Sequence, residues 1–259
     1  GIRLFTAVYI PKDISSKNKY PFLMQRTCYS IAPYGENEYR ERLGPNKYLM
    51  KDKYIFVFQD VRGRYMSEGT FTNMTPQVDR KTKKDVDEST DTYDTIEYLL
   101  KSIKGNNGKV GQYGTSYPGF YTAAGILAQH PALVASSPQA PISDFWNDDF
   151  LHNGKVMLGY FRTFPVFGVQ KTKPENKAWY TDSMIKSTSE DGLKFYRDMG
   201  TLKDGYEKYY KDNFFMTEIM NHPNYDEFWQ KRSLLPHLKD VNHAVMTVGG
   251  WVDAEDLSG

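Results

Sequence analysis

Apolar and polar residues alternate from Arg3 to Ile10 and the alternation stops at Pro11, which predicts a β-strand followed by a turn rich in Lys, Ser and Asn. Tyr20-Pro-Phe-Leu-Met-Gln25 and Tyr54-Ile-Phe-Val-Phe-Gln59 are short apolar runs between turn signals, the pattern of central strands buried on both faces. The period changes from Asp91 to Ile103, where Tyr93, Ile96, Leu99 and Leu100 recur at helical spacing behind acidic residues. That segment predicts a helix packed on the sheet. A basic, Gly-rich turn, Lys104 to Lys109, leads into another strand, and the small-residue run Tyr121 to Ala128 continues as a helix.

Strands alternating with helices imply a mostly parallel sheet with right-handed crossovers, an α/β fold. From Trp146 to about Leu235 the pattern gives way to aromatic, Lys-rich segments such as Leu193-Lys-Phe-Tyr-Arg-Asp-Met, without strand-like runs. These read as an inserted helical cap, the alternative being a separate helical domain. His243-Ala-Val-Met-Thr-Val-Gly-Gly250 has the character of a return to the sheet. The expected division is therefore 1–145 for the first part of the sheet domain, 146–238 for the cap and 239–259 for the return.

Composition narrows the function. A chain of 259 residues with a net charge of +1 can bury a large core, and it has no basic run long enough to track nucleic acid. The positive stretch Lys81 to Lys84 reads as solvated surface. One cysteine, Cys28, excludes an internal disulfide and a Cys-rich zinc site, and reads as a small buried apolar residue. No apolar stretch approaches the roughly 20 residues that cross a bilayer, so no membrane partner is expected. No signal peptide is visible, although the abrupt start at Gly1-Ile2-Arg3-Leu4 is compatible with a removed leader, so the compartment stays unknown.

The chemistry is concentrated in Gly111-Gln-Tyr-Gly-Thr-Ser-Tyr-Pro-Gly119. A serine between close glycines, at a strand-to-helix junction, has the form of a nucleophile elbow. Gly114 and Gly119 allow strand and helix to approach where a Cβ would clash, and the first amides of the new helix are suited to a negatively charged oxygen. Ser116 is the expected nucleophile, and a serine at the carboxyl end of a strand implies an α/β-hydrolase architecture. The competing reading is a Gly-Ser turn capping an ordinary helix. A carboxylate directly after a later core strand is where such a fold places the group that orients its histidine, which makes Asp253 the expected triad acid.

The second glycine follows Ser116 by three residues, giving Gly-x-Ser-Tyr-x-Gly, and this resembles the superfamily of X-prolyl dipeptidyl peptidases, cocaine esterases and α-amino acid ester hydrolases. In that family the Tyr after the nucleophile lends its amide to the oxyanion hole, so the resemblance implies that role for the Tyr117 N–H. Gly250-Trp-Val-Asp-Ala-Glu-Asp256 and Asp148-Asp149-Phe-Leu-His152 are similar to segments of the α-amino acid ester hydrolases. There the resemblance implies a carboxylate cluster formed by Glu255, Asp256 and one residue of the Asp148–Asp149 pair, Asp149 being preferred. Gln25-Arg-Thr-Cys-Tyr29 resembles the family's Arg-Thr-Pro-Tyr segment, which implies that the Tyr29 hydroxyl points at the oxyanion, with Tyr34 as the alternative. Cys28 stands where the family has Pro. Asp60, Arg62 and Arg64, in another shared segment, are assigned to loop structure and ion pairing.

Crowded carboxylates repel one another unless a cation joins them. An ammonium group satisfies that demand, and a substrate with a free α-amine would thereby be held with its carbonyl over Ser116. The alternatives are a calcium site, disfavoured because no Asp/Asn-Gly calcium loop is recognisable, and an acidic surface loop. The resulting expectation is an acyl transferase or hydrolase, without metal or organic cofactor, working through an acyl-enzyme on esters and amides of α-amino acids. The acceptor is water or an amine, and the resemblance extends the substrates to amino-β-lactams. An X-prolyl dipeptidyl peptidase, a cocaine-esterase-like carboxylesterase and a catalytically inactive binding module with the same fold are the other readings.

Histidine does not fit. Triad order requires a His after Asp253, and the five histidines, His130, His152, His222, His237 and His243, all precede it. Each reads as structural or exposed. The expectation is that these residues belong to a longer protein and are inactive alone, with the catalytic His roughly 30 residues beyond Asp253. By resemblance, a C-terminal jelly-roll domain, a tetrameric assembly and a periplasmic or secreted bacterial location complete the picture.

Overall fold

The computed structural model describes residues 1–79, 82, 84–180, 185 and 191–251. The first half of the chain runs β1 (Thr6–Tyr9), β2 (Tyr20–Thr27), α1 (Lys47–Lys51), β3 (Ile55–Asp60), α2 (Glu88–Ser102), β4 (Asn106–Thr115), α3 (Tyr117–Ile126) and β5 (Leu133–Gln139). Then follow β6 (Leu151–His152), β7 (Lys155–Val156), α4 (Leu158–Phe161), α5 (Phe164–Phe167), α6 (Gly192–Met199), α7 (Leu202–Tyr209), α8 (Phe214–Asn221), α9 (Glu227–Gln230) and β8 (Ala244–Val245).

The main sheet has the order β1-β3-β2-β4-β5-β8, with β1 antiparallel to β3 and every other pair parallel. The two apolar runs expected to be central are β2 and β3, paired from Phe22 opposite Ile55 to Thr27 opposite Asp60. β3 is buried at all positions, because its alternate residues face two different cores: Ile55 and Val57 pack with Phe22, Met24 and the α2 residues Ile96 and Leu99, whereas Phe56 and Phe58 join a larger aromatic cluster containing Tyr117 and Phe120. Both faces of the sheet are therefore covered, as a parallel sheet requires.

Helix α2 begins at Glu88, three residues before the expected start. Asp87 caps it: its carboxylate accepts the Thr90 N–H at 2.8 Å while Thr90 Oγ1 accepts the Asp87 N–H at 2.9 Å. Ile96 and Leu99 pack inward as the spacing predicts, but Tyr93 is 40% exposed and lays its ring on His130 instead, with centroids 4.6 Å apart.

The return to the sheet is shorter than His243 to Gly250. Only Ala244 and Val245 form regular strand, opposite Ala135 and Ser136, and Met246 and Val248 continue beside β5 by donating to Ser136 O and Pro138 O. The interruption has a chemical cause: the next rung of a parallel ladder needs an N–H at position 138, and Pro138 has none. The segment expected to be helical throughout also contains a hairpin, Leu151 opposite Val156, whose turn is Asn153-Gly154 with both residues at positive φ.

Candidate active site

Ser116 joins β4 to α3 with φ +63° and ψ −124°, a conformation that non-glycine residues hold only when the surroundings enforce it. Two hydrogen bonds and two close approaches at glycine enforce it here. The Ser116 N–H donates to Gln139 O of the neighbouring strand at 3.0 Å, and Ser116 O accepts the Phe120 N–H of the first helical turn, also at 3.0 Å. A Cβ on Gly114 would stand 2.2 Å from Pro118 O, and one on Gly119 would stand 2.6 Å from Gln139 O. Both glycines are thus required by the closeness of strand, turn and helix, as the sequence spacing predicts.

Tyr117 and Pro118 are the first two helical positions, and Pro118 has no N–H. The N–H of Tyr117, at the start of the helix, has no intrahelical acceptor and lies on the positive end of the helix dipole. Its side chain is fully buried and held at the hydroxyl, which donates to Asn73 Oδ1 at 3.1 Å and accepts the Met74 N–H at 2.8 Å. Burial pushes this phenol well above its ordinary pKa.

Tyr29, half-buried, packs edge-on against the Tyr117 ring with centroids 6.3 Å apart, and its ring also meets Phe167 at 6.2 Å and Trp179 at 5.8 Å. The loop that carries it is fixed without the usual proline. Thr27 Oγ1 accepts the Tyr29 N–H, Arg64 Nε donates to Cys28 O at 3.2 Å, and Asp60 Oδ1 accepts the Ile31 N–H at 3.0 Å. Tyr34, the alternative oxyanion donor, has its hydroxyl committed to Asp60 Oδ2 at 2.8 Å. Asp60 also accepts the Met66 N–H, and burial outweighs these bonds, pushing its carboxyl up to about 6. Arg64 is fully buried; besides Cys28 O it reaches Val166 O, so one guanidinium ties the Tyr29 loop to α5. Just upstream, Arg26 at the end of β2 pairs with Glu88 at 3.1 Å, and Arg62 binds Asp91 through Nε and Nη2 at 3.0 and 2.5 Å. Asp60, Arg62 and Arg64 therefore serve loop structure and ion pairing.

Asp148 and Asp149 are both buried, and Asp149 has φ +64°. The next residue, Phe150, meets Phe167 at 4.6 Å, and Phe167 stacks on Tyr117 at 5.8 Å, so the Asp148–Asp149 turn, the Tyr29 loop and the elbow share one aromatic cluster. A third buried carboxylate, Asp144, accepts from the Trp146 N–H and from the Tyr225 hydroxyl at 2.7 Å. Asp253, Glu255 and Asp256 lie outside the described residues.

The described histidines are engaged away from the elbow or lie on the surface. His130 pairs with Glu97, His222 with Asp226, and His237 with Asp79, all within 2.8 Å; a ring nitrogen of His243 lies 2.7 Å from Ser136 Oγ, and His152 is exposed. Among the described residues, no group of three or more His, Cys, Asp or Glu side chains is arranged to hold a metal ion, and no helix is long and apolar enough to cross a membrane. Asn73 and Asp144 are the contributors to the site's surroundings that sequence reasoning missed; nothing in their local sequence signals partners 44 and 81 residues away.

Comparison with known proteins agrees with this geometry. Residues 1–259 match the family model described as X-Pro dipeptidyl-peptidase (S15 family). The cocaine esterase of Rhodococcus sp. (strain MB1 Bresler) is 24% identical over an alignment of 219 positions that covers 79% of this chain and 34% of that protein. Among solved structures, a selenomethionine-labelled α-amino acid ester hydrolase superposes with a TM-score of 0.84 at 29% identity, and an aminopeptidase from a marine sediment archaeon, Thaumarchaeota archaeon, with 0.82 at 29%. Each superposition covers 100% of this chain and 42% of the other, so the chain spans less than half the length of these relatives.

Proposed function

We propose, from the premise that the chain belongs to the X-Pro dipeptidyl-peptidase (S15) family, that Ser116 is the nucleophile of an acyl-transferring hydrolase whose acyl donors carry a free α-amine. The carrying observation is the backbone of Ser116, a β4–α3 turn at positive φ packed so closely that its two flanking glycines are obligatory.

In this reading Ser116 Oγ attacks an ester or amide carbonyl, and a histidine oriented by Asp253 removes the hydroxyl proton. The Tyr117 N–H and the Tyr29 hydroxyl receive the oxyanion that forms, a contribution of about 3–4 kcal/mol per donor in comparable sites. Collapse expels the alcohol or amine with the returned proton, and water or a second amine then takes the acyl group from the serine. Asp149, Glu255 and Asp256 supply the negative charge that holds the substrate's ammonium group. Segment 146–238 acts as the cap over the site. The similarity to an α-amino acid ester hydrolase and an aminopeptidase, both at 29% identity, supports amine recognition; amino-β-lactams are the finer extension. The family description favours dipeptidyl-proline substrates as the second reading.

The test uses the protein expressed from its complete coding sequence. A fluorophosphonate should label Ser116 and fail on Ser116→Ala, and α-amino acid methyl esters should be hydrolysed faster than the same esters lacking the amine. Absence of labelling would support the inactive binding module, and preference for X-Pro amides the dipeptidyl peptidase.

A further inference from the structure

We propose that a cavity of about 280 Å³ between the Thr72–Asn73 loop and helices α8 and α9 is a binding site for a free aromatic α-amino acid, its carboxylate on Arg232 and its ammonium group on Glu218. The site is distinct from the elbow; Ser116 is not part of its wall, and nothing in the acyl-transfer reading is needed to argue it.

The cation carries the argument. Arg232 lines the cavity with its guanidinium carbon 3.6 Å from the centroid of the Phe228 ring, and its Nη1 donates to Phe228 O at 3.0 Å. Among the described residues no carboxylate lies within ion-pair distance of it; burial lowers its pKa, and the charge of Glu218, on the same cavity, acts on it from further off and opposes that shift. A half-buried guanidinium pays for its lost hydration unless an anion completes its hydrogen bonds, and a ligand carboxylate has the matching planar geometry. Glu218 lines the same cavity, and among the described residues its carboxylate has one contact within ion-pair distance, His222 Nε2 at 3.4 Å, so a cationic group has an acceptor there. The rings of Phe215, Phe228 and Trp229 line the same cavity. Opposite charges and aromatic rings on one cavity match a zwitterion with an aromatic side chain. The volume, near the lower end for small-molecule sites at about 300 Å³, has room for an amino acid. Asn73 also lines the cavity, and its Oδ1 accepts from the Tyr117 hydroxyl.

Titration calorimetry on the whole protein tests this with L-phenylalanine, 3-phenylpropionate and 2-phenylethylamine. L-phenylalanine should bind about tenfold or more tightly than either analogue, and Arg232→Gln and Glu218→Gln should each weaken it to a similar degree. The analogue comparison needs no variant, so a variant that fails to fold leaves the result readable. No binding of L-phenylalanine, equal binding of 3-phenylpropionate, or undiminished binding by a folded Arg232→Gln protein overturns the assignment. Ester hydrolysis by Arg232→Gln without added amino acid should be unchanged, so failure of the Ser116 chemistry would register separately, in the unmodified protein.

Discussion

The Tyr117 hydroxyl donates to Asn73 Oδ1 at 3.1 Å, so the residue directly after Ser116 is anchored through its own side chain to the loop that follows β3. Asn73 in turn donates from Nδ2 to Phe167 O at 2.7 Å, joining α5 to the same anchor. Tyr117→Phe leaves Asn73 Oδ1 and the Met74 N–H without this buried partner, a loss of about 1–3 kcal/mol measurable by urea denaturation. Turnover should fall more than KM rises, because the amide proposed as the oxyanion donor loses its fixed position.

Gly119→Ala should be damaging out of proportion to one methyl group. The new Cβ would meet Gln139 O at 2.6 Å and Pro141 Cα at 2.9 Å, both backbone, and Gln139 O is the acceptor of the Ser116 N–H. A loss of about 2–3 kcal/mol and of fluorophosphonate labelling is expected. Gly159→Ala in α4, where nothing stands within 4 Å, is the control and should change stability by less than about 0.5 kcal/mol.

The side chains of Arg26 and Glu88 are 2% and 7% exposed, so removing Arg26 leaves the Glu88 carboxyl buried without its ion-pair partner. Arg26→Met should cost about 3–5 kcal/mol by chemical denaturation, and adding Glu88→Gln should recover part of it. Recovery would identify the stranded charge, rather than lost packing, as the main loss.

Asp60 gives a pH signature of uncommon sign. Its carboxyl holds its proton to higher pH in the folded protein, about 6, than its ordinary value of 3.8, so the native state binds more protons than the unfolded chain in that interval. Its contribution to stability therefore falls as pH rises from about 4 to about 6, by roughly 3 kcal/mol at most. Asp60→Asn removes the term. Thermal unfolding across pH 4 to 8 should show the wild type gaining on this variant as pH drops through that interval.

Glu255→Ala tests the amine pocket. It should lower kcat/KM for α-amino esters by about tenfold or more while leaving matched esters without the amine little changed. Equal losses on both substrates would remove the ammonium role.

The sheet was legible because burial on two faces leaves uninterrupted apolar runs, as in Tyr54 to Gln59, and because the elbow's glycines answer clashes that any Cβ would cause. Short-range signals accounted for part of what the periodicity missed. Asp87 and Thr90 form the reciprocal cap that starts α2 early, Asn153-Gly154 marks the hairpin, and Pro138 removes the rung that would have lengthened β8. The surroundings of the site were illegible for a different reason. Asn73 and Asp144 act on partners 44 and 81 residues away, and hydrogen-bond geometry at that separation leaves no local pattern.

Cys28 gives the Tyr29 loop a built-in reporter. It is the one thiol in 259 residues, it is 0% exposed, and burial pushes its pKa up to about 12, so an alkylating reagent finds neither access nor thiolate while the loop stays shut. Under conditions where reclosing outruns reaction, the rate at which Cys28 is modified measures the fraction of time the segment beside Tyr29 stands open, without an added probe.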